Sequence, residues 1–433
     1  MRLLPLRSAE ELAARNNVLP PEALRTAAEL IERIRVGGES ALRDLTERFG
    51  ERVPGDPLVL ERPVLRKALD SLEREDRDRL ERVAGRIASF AGAQRTALSD
   101  ITVSIPGGRA GHVAVPVERA GCYVPGGRHP LPSSALMTTI PARAAGVREI
   151  WVATPRPHPV TLAAAALSDV DGVVVAGGAH AIAALALGAG PVPAVDVVAG
   201  PGNVYVTAAK QLLAGRVGID MMAGPSELVI LADQSADPAL VAADLLAQAE
   251  HDVLALPVLV TTHAPLVEQV EAELARQIEN LPTADIARAA LANGGALVAP
   301  NIDEACRVVD RLAPEHLELL LRDAPLVAGR IRNCGAIFVG AGAGEVLGDY
   351  GAGPNHTLPT SRAARFTGGL SVFTFLRIRS WMTIDDAATA RGLAEDAVWF
   401  ARIEGLEAHA RAASLRIPSQ TPSVVEDISL GIA

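Results

Sequence analysis

From about residue 110 to residue 339, short apolar runs alternate with alanine-rich stretches of helical spacing, and this alternation constrains the chain more than any other feature. Runs at 150–153, 172–176 and 195–199, the last interrupted only by Asp196, are too short for helices and too apolar for strands with one wet face. They suit strands buried on both faces, so the pattern predicts βαβ units and parallel sheets. A second set follows, with strands over 228–232, 257–262, 295–299 and 336–339 and helices over 238–251, 265–280 and 302–312. Two α/β domains are the simplest reading. Residues 21–95 are dense in Arg, Glu and Leu at helical spacing, and 383–413 read as helical again, so helical segments flank the domains.

Composition narrows the function. A chain of 433 residues with 49% hydrophobic content buries a large core. Its net charge of −10 argues against a nucleic-acid binder, whose basic footprint must displace counterions from phosphate. Small-molecule substrates fit better. The three cysteines, Cys122, Cys306 and Cys334, lack CxxC spacing, which points to neither a disulfide framework nor a thiolate zinc site and suits a reducing cytoplasm. The N-terminus lacks the apolar core of a signal peptide. Residues 172–195 are uncharged and long enough to span a bilayer, but Gly177, Gly178, Gly188, Gly190, Pro191 and Pro193 break them, so no membrane partner is expected.

Residue types that carry chemistry gather in a few segments. Residues 348–360 put Asp349 and His356 into a glycine-rich loop after the apolar run Ala336–Val339. Glycine permits positive φ and close approach to a ligand, and a carboxylate plus an imidazole at the end of a buried strand are metal or acid/base groups. Gln248 and His251, three apart at a helix end, share one helical face and can aim an amide oxygen and an imidazole nitrogen at one ion; a polar helix end accounts for the same spacing. Glu315 and His316 are adjacent and point in different directions, so they suit two roles, a base for water and a group that works on a substrate hydroxyl. A helix N-terminus with Pro314 at its first position is the other reading. The glycine loops at 176–180, 199–203, 123–127 and 224–227 suit backbone amides facing an anion, or simply tight turns. In 340–344 glycines alternate, but Glu345 stands where a dinucleotide motif needs its last glycine and no helix clearly follows, so a flexible loop is expected.

Taken in order, GCYVPGG with PLPSSALM (121–137), AGGAHAIAALALG (176–188), AGPGNVYVTAAK (199–210), IDMMAGPSE (219–227), AADLLAQAEHD (242–252), LAPEHLE (312–318), GDYGAGPNHTLPT (348–360) and EGLEAHARAASLRI (404–417) resemble the histidinol dehydrogenase family. The resemblance covers nearly the whole chain. It implies two incomplete Rossmann-like α/β domains with parallel sheets, and a four-electron oxidation of L-histidinol through L-histidinal to L-histidine with two NAD. The domain boundaries it suggests are an N-terminal segment 1–21, a discontinuous first domain 22–121 and 228–370, a second, cofactor-side domain 122–227, and a helical tail 371–433.

By the same resemblance Gln248, His251, Asp349 and His409 hold one Zn2+, and all four also contact substrate. Glu315 activates the water that adds to the aldehyde, and His316 handles the alcohol proton. Ser226, His356 and Glu404 resemble substrate contacts, with Glu315 beside them; Tyr123, His180 and Asn203 resemble NAD contacts. The family tail reaches into the partner subunit's site, implying a homodimer with intertwined C-termini. One departure stands out: the family carries Gln where this chain has His180, and a histidine is shorter, bulkier and titratable. That change leaves room for a paralogue that oxidises another primary alcohol to a carboxylate. A zinc-dependent hydrolase using Glu315 as base is the alternative of another class. Cys122 reads as a packing residue rather than a nucleophile.

Overall fold

A computed structural model describes residues 2–14, 19–126 and 129–417. Gly127, Arg128 and the expected end segment 418–433 lie outside the described residues. In chain order the strands are β1 (Val59–Glu61), β2 (Ile101–Ile105), β3 (Gly108–Pro116), β4 (Arg119–Tyr123), β5 (Glu149–Ala153), β6 (Gly172–Val174), β7 (Val197–Ala199), β8 (Gly218–Ile219), β9 (Glu227–Ala232), β10 (Leu256–Thr261), β11 (Gly295–Val298), β12 (His316–Leu320), β13 (Ala336–Val339) and β14 (Leu376–Ile384). The chain divides into two compact units, one formed by residues 1–96 and 116–376 and the other by 97–115 and 377–433.

The first unit holds two sheets. One has the order β1-β6-β5-β4-β7-β8, parallel except for β1, which runs antiparallel to β6. Helices Pro132–Ala145 and Pro159–Leu167 cover one face and Gly178–Leu187 and Val204–Leu213 the other, so strands such as Val197–Ala199 are buried on both sides, as their apolar runs predict. The N-terminal helices belong here too. Ala23, Ala27, Ile34, Leu42 and Leu45 of helix Pro21–Arg48 pack into one core with Ile182 and Leu185, and Ile87 and Ala91 of helix Arg74–Thr96 pack with Met137 and Ile140. This differs from the expected grouping of 22–121 with 228–370. An amphipathic stripe reveals that a helix packs, but not against which sheet.

The second sheet, β11-β10-β9-β12-β13, is parallel throughout. Its strand β12 was not expected. The chain enters it from helix Ile302–Leu312 through Ala313, which ends the helix in the left-handed region at φ 46°. That conformation costs a non-glycine residue roughly 1 kcal/mol and is held here by full burial and by the Ala313 N–H donating to the Val309 carbonyl at 2.8 Å. In β12 the side chains alternate: Leu317 and Leu319 join the core on one face with Val229 and Val260, while Leu320 joins the core on the other face with Leu228, Ile230 and Leu245. His316 and Glu318 share the face of Leu320, in register with Leu228 and Ile230 of β9. Helix Pro238–Ala249 covers that face.

In the second unit, β2 and β3 form an antiparallel pair and β14 lies beside β3. The tail from 371 was expected to be helical, yet after a single 3-10 turn, Val372–Phe375, it continues as the strand β14. Ile378, Trp381, Thr383 and Ile384 are strand formers that outweigh the helical composition after them. Helices Arg391–Ile403 and Glu407–Ser414 follow. Among the described residues no helix is long and apolar enough to cross a membrane.

Candidate active site

The chemistry-bearing side chains of the first unit meet at the amino-terminal edge of the second sheet. Helix Pro238–Ala249 brings Gln248 there, one turn after Asp244. Gln248 is fully buried, and among the described residues neither Oε1 nor Nε2 has a hydrogen-bond partner. A buried amide left unsatisfied costs about 1–3 kcal/mol, so this one is placed for a ligand rather than for packing. His251 follows just past the helix cap, with Nε2 3.9 Å from Asp349 Oδ2. Asp349 does not stand in a glycine loop. It ends a five-residue helix, Glu345–Asp349, which follows Gly344 where a flexible loop was expected. The helix starts because the Glu318 carboxylate accepts the Glu345 N–H at 2.6 Å. One ligand atom each from His251, Glu345 and Asp349 fall within 4.8 Å of one another, a separation one bound cation closes.

Glu315 and His316 stand beside this cluster at the start of β12, both buried. The Glu227 backbone fixes the two together: its N–H donates to Glu315 Oε2 at 2.9 Å, and its carbonyl lies 3.2 Å from His316 Nδ1. Nδ1 therefore carries the ring proton, and Nε2, which has no hydrogen-bond partner, lies 3.9 Å from Asp349 Oδ1. Burial moves both groups toward neutrality. It pushes the Glu315 carboxyl well above the usual range, helped by Glu227 and Asp349, and pulls the His316 imidazole down to about 4 against the pull of Asp349.

Three further acids line the same face and were not singled out from the sequence. Glu345 Oε1 lies 3.4 Å from His316 Nδ1, and Glu345 Oε2 and Glu318 Oε2 are buried without partners. Burial, then neighbouring carboxylates, raises Glu345 well above the ordinary carboxylate value; burial, then Asp244, raises Glu318 to about 8, and burial raises Asp244. Two spacings in the sequence point to them. Glu345 precedes Asp349 by one helical turn, and Glu318 follows His316 by one strand period.

The other candidates fall elsewhere. Ser226 immediately precedes β9, and His356 Nδ1 donates to the Asp349 carbonyl at 2.9 Å, its imidazole lowered chiefly by burial. Tyr123, His180 and Asn203 sit at the carboxyl ends of β4, β6 and β7 in the first sheet. The Tyr123 hydroxyl accepts the Gly178 N–H at 3.0 Å. His180 Nε2 is 2.9 Å from Glu51 Oε2, its ring stacks on Phe49 at 5.2 Å, and the same carboxylate oxygen accepts the Gly177 N–H at 3.0 Å. The Asn203 side chain caps its own helix through the Tyr205 and Val206 N–H groups. Gly200, at φ 120° and too close to the Tyr123 carbonyl for any Cβ, is clamped by the buried Lys210–Asp220 pair: Lys210 donates to its carbonyl and Asp220 accepts its N–H at 2.7 Å. Cys122 is buried in β4, and burial pushes its thiol up to about 12, which removes it as a nucleophile at neutral pH. Glu404 and His409 are exposed in the second unit, at the cap of helix Arg391–Ile403 and on helix Glu407–Ser414.

Comparison with known proteins matches this arrangement. The model of the histidinol dehydrogenase family matches residues 14–417. The chain is 44% identical to the histidinol dehydrogenase of Aromatoleum aromaticum over 430 residues, covering 96% of this chain and 98% of that protein. It is also 44% identical to the Thermus thermophilus histidinol dehydrogenase over 415 residues, 94% of this chain and 99% of that one. The crystal structure of the Elizabethkingia anophelis histidinol dehydrogenase superposes with a TM-score of 0.89 at 31% identity, covering 96% of this chain and 98% of that one. With two α/β sheets, the paired acid and imidazole on β12 and a family match over nearly its full length, the chain belongs to the histidinol dehydrogenase family.

Proposed function

We propose that this chain oxidises L-histidinol through L-histidinal to L-histidine, reducing two NAD in turn, with a zinc ion held by Gln248, His251, Asp349 and His409 of the partner chain. The observation that carries it is the fully buried Gln248 amide, both of whose polar atoms lack partners among the described residues, three residues before His251, whose Nε2 lies 3.9 Å from an Asp349 carboxylate that is itself 3.9 Å from His316 Nε2. Amide oxygen, imidazole and carboxylate are a donor set that suits zinc. When bound, the metal supplies Lewis acidity that holds the amino alcohol and orders it beside the cofactor.

The chain's own groups do the rest. His316, with its proton on Nδ1 directed at the Glu227 carbonyl, presents the Nε2 lone pair to take the alcohol proton, and bound NAD would supply the hydride acceptor. Glu315 accepts a proton from the water that adds to the aldehyde, and a second NAD, when bound, would accept the hydride whose loss turns the hydrate into the carboxylate. The Glu227 N–H that donates to Glu315 Oε2 at 2.9 Å opposes the effect of burial and favours the ionised carboxylate that this step requires. Ser226, His356 and, from the partner chain, Glu404 contact the substrate, while Tyr123 and Asn203 line the cofactor side with His180.

A homodimer is part of this reading. Helix Arg391–Ile403 leaves Trp399, Phe400 and Ile403 exposed, and Glu404 and His409 next to them face solvent, which suits a surface completed by a second copy. The three cysteines are free, as a cytoplasmic enzyme's would be. Mixing the zinc-loaded protein with histidinol and NAD tests the reading, and two NADH should form per histidinol consumed. No NADH, as a hydrolase would give, or NADH only with other primary alcohols, removes it.

A further inference from the structure

Glu345 is buried, has no lysine or arginine partner among the described residues, and has no task in the reaction just described. We infer that Glu345 is a positioning residue for His316, its carboxylate standing with the Glu227 carbonyl on the Nδ1 side of the ring so that Nε2 is turned to the alcohol. The inference rests on the dehydrogenase reading only for what Nε2 does there.

The placement is built from β12 itself. His316 and Glu318 project from the same face, one strand period apart. Glu318 Oε1 holds the Glu345 backbone N–H at 2.6 Å, while His316 Nδ1 lies 3.4 Å from the Glu345 carboxylate. The backbone and the side chain of one residue are thus referenced to two neighbours on a single strand, which fixes Glu345 against the imidazole independently of the longer loop that follows it. On its other side the ring is bounded by Phe338 of β13, with centroids 6.1 Å apart and planes tilted by 30°. Three acceptors lie on the Nδ1 side, the Glu227 carbonyl at 3.2 Å, Glu345 Oε1 at 3.4 Å and Glu315 Oε2 at 3.7 Å, and among the described residues none is hydrogen-bonded to Nε2. This is the logic by which a carboxylate orients a catalytic imidazole in hydrolytic triads.

The test uses the full-length, zinc-loaded protein and its Glu345→Gln, Glu345→Ala and Glu345→Asp variants. In Glu345→Gln and Glu345→Ala, kcat for histidinol should fall about 10- to 100-fold with KM for histidinol and bound zinc unchanged, and Glu345→Asp should recover part of the loss. Nitrogen-15 NMR of histidine-labelled protein reads the ring directly. The wild type should hold the His316 proton on Nδ1, and Glu345→Ala should shift the ring toward a mixture of tautomers. An unchanged kcat and an unchanged His316 signal overturn the inference. So does loss of zinc in Glu345→Gln, which would make Glu345 a metal ligand beside His251 and Asp349. Should Glu345→Ala not fold, the isosteric Glu345→Gln carries both readouts. If the wild type forms no NADH, the dehydrogenase reading fails, while the NMR signal still decides whether Glu345 sets the ring.

Discussion

The two sheets of the first unit present their polar groups from opposite edges and in opposite states. At the carboxyl edge of the first sheet, the groups expected to meet cofactor already have partners: the Tyr123 hydroxyl, His180 with Glu51, the Asn203 cap, and the clamped Gly200 peptide. At the amino edge of the second sheet, Gln248, His316 Nε2, Glu345 Oε2 and Glu318 Oε2 are buried and have no hydrogen-bond partner among the described residues. Open α/β sheets usually bind ligands at the carboxyl ends of their strands, where the strand order reverses. The first sheet reverses between β4 and β7, the point at which this rule would place the proposed cofactor, whereas the proposed catalytic groups stand at the amino ends of the second sheet. On the proposed reading, the difference separates a cofactor platform whose polar groups are already paired from a catalytic edge whose unpaired groups await a ligand.

This contrast can be broken most sharply at β12. His316→Asn and Glu315→Gln should each lower kcat by about 10²–10⁴ and leave KM for NAD in place. Glu315→Gln should spare NADH formation from the alcohol and stop it from the aldehyde, a split that assays started from each substrate reveal. A shift in KM for NAD with kcat intact would erase the distinction between the edges. Next in size, Asp349→Asn should weaken zinc binding by about 100-fold or more, read by competition with a chromophoric chelator, whereas His180→Gln should not change it.

A third effect concerns stability without metal. Glu318 and Glu227 are raised by burial from 4.5 to about 8 and about 7. Between pH 6.5 and 8 the folded chain keeps protons that the unfolded chain has released, so stability falls as pH rises through this window. His316, lowered from 6.5 to about 4, works the other way only below that window. The melting temperature of zinc-free protein should therefore fall from pH 6.5 to pH 8, and bound zinc should flatten the slope. A flat zinc-free profile would mean the second edge carries no such strain. The smallest effect belongs to the first sheet: His180→Gln should move KM for NAD only a few-fold and leave kcat unchanged, because Glu51, not the cofactor edge alone, already engages that ring.

Much of this was legible in the sequence, and the parts that were not share a cause. The parallel strands announced themselves through apolar runs because both their faces are buried, and Gln248, His251, Asp349, Glu315 and His316 stood out within motifs. Strand β12 was hidden because His316 and Glu318 interrupt its apolar pattern, and buried charge looks like surface charge in a sequence. The short helix at Glu345 was hidden for a related reason. Its N-terminus is completed by Glu318, 27 residues away, rather than by a local cap. The allegiance of helix Pro21–Arg48 was likewise invisible, since its stripe would fit either sheet.

The register of β12 has a consequence for folding fidelity. His316 pairs with Leu228 of β9 and Ala336 of β13, and every second residue after it points to the same side. A slip of one residue would carry His316 and Glu318 into the apolar core with Val229 and Val260 and bring Leu317 and Leu319 to the edge that should hold metal. Such a molecule would displace His316 and the Glu318 carboxylate that holds the Glu345 N–H and would bury both uncompensated in the same step, so the misfolded form most damaging to the proposed site is also among the least stable. Selection for a working site and selection for correct strand pairing then act on the same two residues.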